Sequence, residues 1–476
     1  MNSMAQNSAK TITTKWISDI RFWILLFFVL RLYGITQAPI EIAHNWRQTF
    51  TNLVARSFLE VDANILYPKA PIYGNNTGVV GTEFPLLNYF IFLVSKVFGY
   101  AHWYGRLINL IISSIGIFYF YKIVHEYIST KFSLMASIIL LCSIWFIFSR
   151  KSMPDTFSIS ILFIGIYYGL SYFRSQKTIH LLFYFLFASI GILCKIPGLF
   201  LLGVFAIPIF DSTILPKTKI YFSIVSILVL TCVFFWYFNW VPYLESIEGN
   251  QLYFPRSLKE GWIEVMDRIG LTAERFYFSS MQSFIAFLFF VLGLFFMIKT
   301  KQKVGLLVLS ILSFVFFLFV LKTGFVFPLH SYYIVPYTPV MAIVIAYGIN
   351  QLKNNTWKYG LLVLLCIEAI ANQQDDFRFK ESEAYKLRLE SIADKVSQPN
   401  ECIAINGGES PQQLYFTHRK GWRLSNEQVL DKEFINSIIK KGCKCLFLNK
   451  HELDTTALNL EFEVVYEDEH YRVYKL

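Results

Sequence analysis

LLNYFIFLVSKVF, residues 86–98, is the stretch on which the topology turns. It is apolar but short, whereas a helix crossing the hydrocarbon needs about 20 apolar residues. Read as a helix lying in the interface, or as a re-entrant piece, it leaves the chain after it in one orientation; read as a span, it inverts everything that follows. Outside it, apolar runs lie at about 17–37, 103–121, 132–149, 156–173, 179–194, 197–215, 220–241, 283–298, 304–322, 332–350 and 357–374, eleven in all. The first starts after a polar N-terminus and has no small-residue cleavage site, so it reads as an uncleaved helix.

Charge tests that choice, because Lys and Arg in short loops gather on the cytoplasmic side. With eleven spans and the N-terminus inside, the inner connections carry Lys122 and Lys131, Arg174 and Lys177, Lys217 and Lys219, Lys299, Lys301 and Lys303, and Lys353 and Lys358. Every inner loop is basic. Arg150, Lys151 and Lys195 fall on the outer side against the rule, which makes them candidates for holding an anion.

Composition agrees. Of 476 residues 55% are hydrophobic and only 16% charged, against about 25% charged in an ordinary soluble domain. The net charge of +10 sits in short clusters between apolar runs and sets topology, so no nucleic-acid partner is expected. The reading is an α-helical polytopic membrane protein of about eleven transmembrane helices, with membrane lipid as its surroundings.

From about Gln373 the composition changes. Residues 1–374 form the membrane domain, with a long first outer loop at 38–102, and 375–476 form a soluble extracytoplasmic domain. In it Glu401–Ile405, Cys445–Leu448 and Glu463–Tyr466 read as strands, with helices at Glu381–Val396 and Glu427–Lys440, a small α/β fold. Cys142, Cys194, Cys232 and Cys366 lie in apolar runs as packing residues. Cys402, Cys443 and Cys445 lie in the tail, where a disulfide from Cys402 to either of the others is open and leaves one cysteine over.

The outer side collects the polar residues. Glu41, His44, Trp46, Arg47 and Gln48 come first, then Glu83, then Arg150, Lys151 and Asp155, then Lys195, then His330, Tyr332 and Tyr333. An enzyme of lipid phosphates needs such a set: cations for phosphate, carboxylates for proton removal or a divalent ion, aromatics for a sugar or lipid. Each also has a plainer reading. Trp46, Tyr332 and Tyr333 suit an interfacial belt, Arg150 and Lys151 suit snorkelling, and Asp155 suits a helix N-terminus.

The ordered series His44–Asn45–Trp46–Arg47–Gln48–Thr49, Glu83–Phe84–Pro85–Leu86, Gly105–Arg106–Leu107, Ser149 to Thr156, Lys195–Ile196–Pro197–Gly198 and His330 to Pro336 resembles the bacterial relatives of the dolichyl-phosphate-mannose protein mannosyltransferases, GT-C membrane glycosyltransferases of a family-39-like kind. The resemblance implies transfer of a sugar from a polyprenyl-phosphate donor to an acceptor (lipid, glycan or protein) at the outer face of a bacterial cytoplasmic membrane, with inversion at the anomeric carbon. It also implies Glu83 and Asp155 as the acidic pair, serving as base and as ligands of a metal or the donor phosphate, with Glu41 and His44 as substitutes. The metal would be an oxygen-ligated ion, Mg²⁺ or Mn²⁺. Arg47, Arg150, Lys151 and Lys195 are the phosphate cations, and Trp46, His330, Tyr332 and Tyr333 complete the substrate-binding set. Relatives often carry an acid shortly after Trp-Arg-Gln, where this chain has Phe50. A transporter or flippase of lipid-linked saccharides is the alternative, but transporters place polar groups at the bilayer midplane. A non-catalytic assembly protein leaves Glu41, Glu83 and Asp155 without a role.

Overall fold

Each of the eleven apolar runs carries a helix in the computed structural model, which describes residues 16–250, 252, 255–454 and 460–476. Among the described residues five helices are singly long and apolar enough to cross a membrane: Tyr104–Tyr127, Pro154–Ser175, Pro216–Glu248, Lys303–Thr323 and Ser331–Asn350. The other runs hold shorter or broken helices. Residues 197–215 form a 3₁₀ helix, Ile196–Phe205, continuing as Ala206–Phe210. Pro336 likewise keeps Ser331–Tyr337 in 3₁₀ form before Thr338–Asn350, because proline removes a donor and crowds the preceding turn.

The chain divides into two compact units. The first comprises the described residues of Met1–Ile35, Arg106–Phe238 and Phe254–Phe377. Its helix ends are capped by short polar side chains. Ser129 and Ser283 accept from the amides of Phe132 and Ala286, and Asn354 accepts from those of Thr356 and Trp357. Glu368, on helix Asn355–Ala371, takes the amides of Phe284 and Ile285 at 3.0 and 3.2 Å and the hydroxyl of Ser283. An acid in an apolar helix thus closes the N-terminus of its neighbour, where the first amides lack intrahelical partners.

Helices Pro154–Ser175 and Thr178–Cys194 pack closely on small residues, the usual way for helix backbones to approach in a membrane. A Cβ at Gly191 would lie 2.8 Å from the Leu162 amide nitrogen and 2.9 Å from its Cβ. Gly191→Val is therefore expected to cost about 1–3 kcal/mol by overpacking. Thermal unfolding in detergent should show a lower midpoint; an unchanged one would mean that the helices separate freely.

The second unit comprises Thr36–Gly105, Asn239–Tyr253 and Arg378–Leu476 within the described residues, so the first outer loop clusters with the tail. Leu86–Phe98 is a single 13-residue helix. It buries Leu87, Ile91, Phe92 and Ser95 on one face and exposes Leu93, Val97 and Phe98 on another. An apolar surface helix of this kind suits the interface.

The tail is a five-stranded sheet in the order β2-β1-β3-β5-β4: β1 Cys402–Asn406, β2 Lys420–Leu424, β3 Cys443–Asn449, β4 Glu463–Glu467 and β5 Tyr471–Lys475. β1 runs parallel to β2 and β3, and β5 antiparallel to β3 and β4. Side chains alternate between two cores, as the period of a strand requires. Ile403, Ile405, Cys445, Phe447, Tyr471 and Val473 face a core shared with helix Leu389–Val396 and helix Asn45–Glu60. Ala404, Leu424, Leu446, Leu448 and Tyr474 face the helix Lys432–Lys440. The sequence reading found β1, β3 and β4 and missed β2 and β5. Cys402, Cys443 and Cys445 are buried and free, without the disulfide left open above; burial pushes the Cys402 thiol up to about 11.

Candidate functional site

Asp155, Lys195, His330, Tyr332 and Tyr333 come from three separate parts of the first unit and meet. Asp155 sits in the first turn of helix Pro154–Ser175, entered through extended Met153. There the exposed amides favour a carboxylate. Asp155 is 1% exposed, and neither of its oxygens makes a hydrogen bond. Its partner is the ammonium of Lys195, 3.3 Å from Oδ1. Lys195 is the extended residue between helix Thr178–Cys194 and the 3₁₀ helix that begins at Ile196–Pro197. A helix ends, turns and restarts at that lysine, which aims its side chain across the break.

The Lys195 ammonium also lies over two aromatic faces, 5.3 Å from the centre of Tyr332 and 5.7 Å from that of Tyr333. Tyr332 and Tyr333 touch at 4.5 Å, and His330 stacks on Tyr332 at 5.2 Å. Burial holds the His330 imidazole below its ordinary pKa, helped by the charges of Arg275 and Lys195. The ring is accordingly neutral near pH 7, free to give or take one proton. Arg275, which the sequence reading passed over, donates from Nε and Nη2 to the Pro328 carbonyl at 3.0 and 2.7 Å and so fixes the turn that carries His330. Its only signal in the sequence was an arginine in the outer loop at 242–282.

Arg150 and Lys151 are given other partners. Arg150 is fully buried and donates to the carbonyls of Arg31 and Tyr33 at 3.1 and 2.7 Å, with its guanidinium over Phe377. It closes the C-terminal end of helix Ile20–Arg31, whose last carbonyls need donors. Lys151, also fully buried, pairs with Asp376 at 3.1 Å. Both are buried and bonded within the first unit, whereas the Lys195 side chain is 12% exposed.

Glu41, His44, Trp46, Arg47 and Glu83 lie in the second unit. Glu41 is buried and accepts from Gln48 Nε2 at 2.9 Å, one side of a tie between the loop and helix Asn45–Glu60. His44 precedes that helix with φ 64°, a region that non-glycine residues seldom enter. Trp46 stacks on Phe50 with ring centres 5.4 Å apart and donates its indole N–H to the Glu409 carbonyl at 3.0 Å. Arg47 pairs with Glu83, which also accepts from the Thr82 hydroxyl at 3.2 Å. Phe50, standing where relatives often have an acid, is a core residue under Trp46 and beside the Arg47 guanidinium.

Of the two acids expected from the sequence, Asp155 pairs with Lys195 in the first unit and Glu83 with Arg47 in the second. Among the described residues no three His, Cys, Asp or Glu side chains gather into a ready metal-binding group. What the Asp155 site offers is a buried carboxylate, a cation beside it and an aromatic wall. A phosphate could replace the carboxylate at Lys195, and the freed carboxylate could take a proton.

A family model described as dolichyl-phosphate-mannose-protein mannosyltransferase matches residues 82–237, the stretch that contains Glu83, Asp155 and Lys195. Similar folds are found in the structure of ArnT from Cupriavidus metallidurans bound to undecaprenyl phosphate, at TM-score 0.60 and 11% identity over 95% of this chain and 98% of that one. The apo form of the same protein gives 0.61 and 11% over 95% and 97%. The oligosaccharyltransferase AglB from Archaeoglobus fulgidus, in complex with an inhibitory peptide and a dolichol phosphate, gives 0.53 and 11% over 91% and 70%. No curated protein sequence matches. The chain is therefore a multi-pass membrane protein of the GT-C fold with a small C-terminal sheet domain.

Proposed function

We infer that this chain is a membrane glycosyltransferase that takes a sugar from a polyprenyl-phosphate donor and passes it to an acceptor hydroxyl or other nucleophile. The observation that carries the reading is the buried Asp155 carboxylate paired with Lys195 against Tyr332 and Tyr333, set in a fold similar to one seen with undecaprenyl phosphate. The acceptor oxygen attacks the anomeric carbon and the bond from that carbon to the phosphate oxygen breaks. Polyprenyl phosphate leaves with the electron pair, and the acceptor's proton passes to a base.

In this reading Lys195 holds the donor phosphate and Asp155 is the base, while Tyr332 and Tyr333 offer the sugar a flat apolar face. Neutral His330 serves as a hydrogen-bonding group for the acceptor. A single direct displacement inverts the anomeric centre. The basic inner loops support an N-terminus in the cytoplasm, eleven spans and a tail on the outer face of a bacterial cytoplasmic membrane.

A divalent ion, Mg²⁺ or Mn²⁺, fits in one respect. Such ions are held by one or two carboxylates together with substrate phosphates, and Asp155 has two oxygens without hydrogen bonds. When bound it would neutralise phosphate charge; Asp155 would hold it in place of acting as the base, and the acceptor's proton would pass to His330. Excess chelator is expected to lower turnover by at least about tenfold, consistent with loss of one charge-stabilising group. Full activity in chelator would assign that charge to Lys195 alone.

The test of the function is purified protein in lipid, given polyprenyl-phosphate sugars and membrane extract as acceptor. Release of free polyprenyl phosphate by wild type, and not by Lys195→Met, is the expected result. No release from any donor would favour carriage of lipid-linked saccharides over transfer.

A further inference from the structure

Two imidazoles in the tail face each other across one hydrogen bond. His451 Nε2 lies 2.8 Å from His470 Nδ1, the rings being 5.0 Å apart and 29° from parallel. They come from different turns, one after β3 and one between β4 and β5. Both turns are fixed by the backbone. The Lys450 amide donates to the His470 carbonyl at 2.8 Å, the His451 amide to Asn449 Oδ1 at 3.0 Å, and the His470 amide to Asp468 Oδ1 at 2.8 Å. Tyr385 packs on both rings, 4.4 Å from His451 and 4.8 Å from His470, and its hydroxyl is held by Asn449.

We propose that His451 and His470 form a binding site for a transition-metal ion of the imidazole-preferring kind, Zn²⁺ being the probe. Two nitrogens on one zinc, each about 2.0–2.1 Å from the metal, stand about 2.9–3.4 Å apart for ligand angles between a right angle and the tetrahedral value. The pair as folded is within a few tenths of an ångström of that range. Glu469 Oε1 lies 3.0 Å from His470 Nε2, the contact that suits a hydrogen on Nε2 and an Nδ1 lone pair directed to His451. This is the carboxylate–imidazole–metal arrangement by which outer groups orient a ligand. Binding replaces the one proton shared between the rings: His451 Nε2 gives its hydrogen up, the Nδ1 tautomer or a proton released to solvent balances the charge, and both lone pairs meet the ion. His451 is exposed and His470 partly so, which leaves the remaining coordination positions to water or to an oxygen of a bound ligand. Imidazole donors select Zn²⁺, Cu²⁺ or Ni²⁺ over Mg²⁺, so this site is distinct in kind from any ion at Asp155.

The experiment is Zn²⁺ titration by calorimetry of the full chain without an affinity tag, in lipid discs and after metal removal. Wild type should bind one more equivalent than His451→Gln or His470→Gln, and Asp155→Asn should keep that equivalent. Glu469→Gln should bind it about tenfold or more weakly, and Mg²⁺ should not compete. Zinc should raise the unfolding temperature of wild type and not of the glutamine variants. If His470→Gln binds zinc as wild type does, or wild type shows no saturable binding, the pair is only a hydrogen bond. Should the glutamine variants fail to fold, Glu469→Gln decides: unchanged affinity rejects the site.

Discussion

Asp155→Asn is expected to remove sugar transfer while leaving the fold in place, with kcat/KM falling by about 10²–10⁴, the usual contribution of a positioned general base. Asparagine keeps the shape of the side chain, so the close packing around a residue that is 1% exposed survives. What it loses is the charge facing Lys195 and the ability to take a proton. Lys195 then stands without its partner, but its side chain retains 12% exposure and the aromatic faces of Tyr332 and Tyr333, so it can turn to solvent instead of unfolding the site. The two roles separate kinetically. Loss of the base lowers kcat and kcat/KM together, whereas loss of the phosphate cation in Lys195→Met raises the donor KM as well. Donor turnover measured as released polyprenyl phosphate, across a donor series, reads both. An Asp155→Asn protein that keeps wild-type kcat would move the base elsewhere, to His330 first.

How far this site could be read from sequence differs residue by residue. Lys195 has a local signal, a lysine against the positive-inside pattern in a short break between apolar runs, and the structure pairs it with Asp155. Arg150 and Lys151 carry the same signal, and in the structure both are buried and bonded within the first unit. Their partners, the Arg31 and Tyr33 carbonyls and Asp376, are more than a hundred residues away along the chain. The apolar runs were legible because a window of about 20 residues decides them. β2 and β5 were not: Lys420–Leu424 and Tyr471–Lys475 are five residues each and interleave charge with bulk, so neither shows a plain apolar alternation. The Trp46 indole reaching Glu409, 363 residues on, left no trace in either segment. Phe50 was noticed as a departure from relatives, and the structure supplies its reason, a stacking surface for Trp46.

Arg47 and Glu83 supply the second large effect, and here the two partners should differ. Arg47 carries a guanidinium fork of the kind suited to phosphate, and Glu83 pairs with it, itself accepting from Thr82. Their side chains are 12% and 21% exposed, so the pair is worth more than a surface bridge yet can exchange partners with a ligand. If Glu83 acts by positioning Arg47, Glu83→Gln should raise donor KM by about tenfold, the scale of one charge-assisted hydrogen bond, with kcat little changed. Arg47→Ala should cost more than Glu83→Gln, since it removes the cation itself. The double variant should then be no worse than Arg47→Ala alone, a coupling of about 1–3 kcal/mol that contacting residues show and independent ones do not. A purely structural pair would lower the unfolding temperature of both single variants without moving KM. A Glu83→Gln enzyme whose kcat collapses with KM intact would instead place Glu83 at the proton transfer, in competition with Asp155.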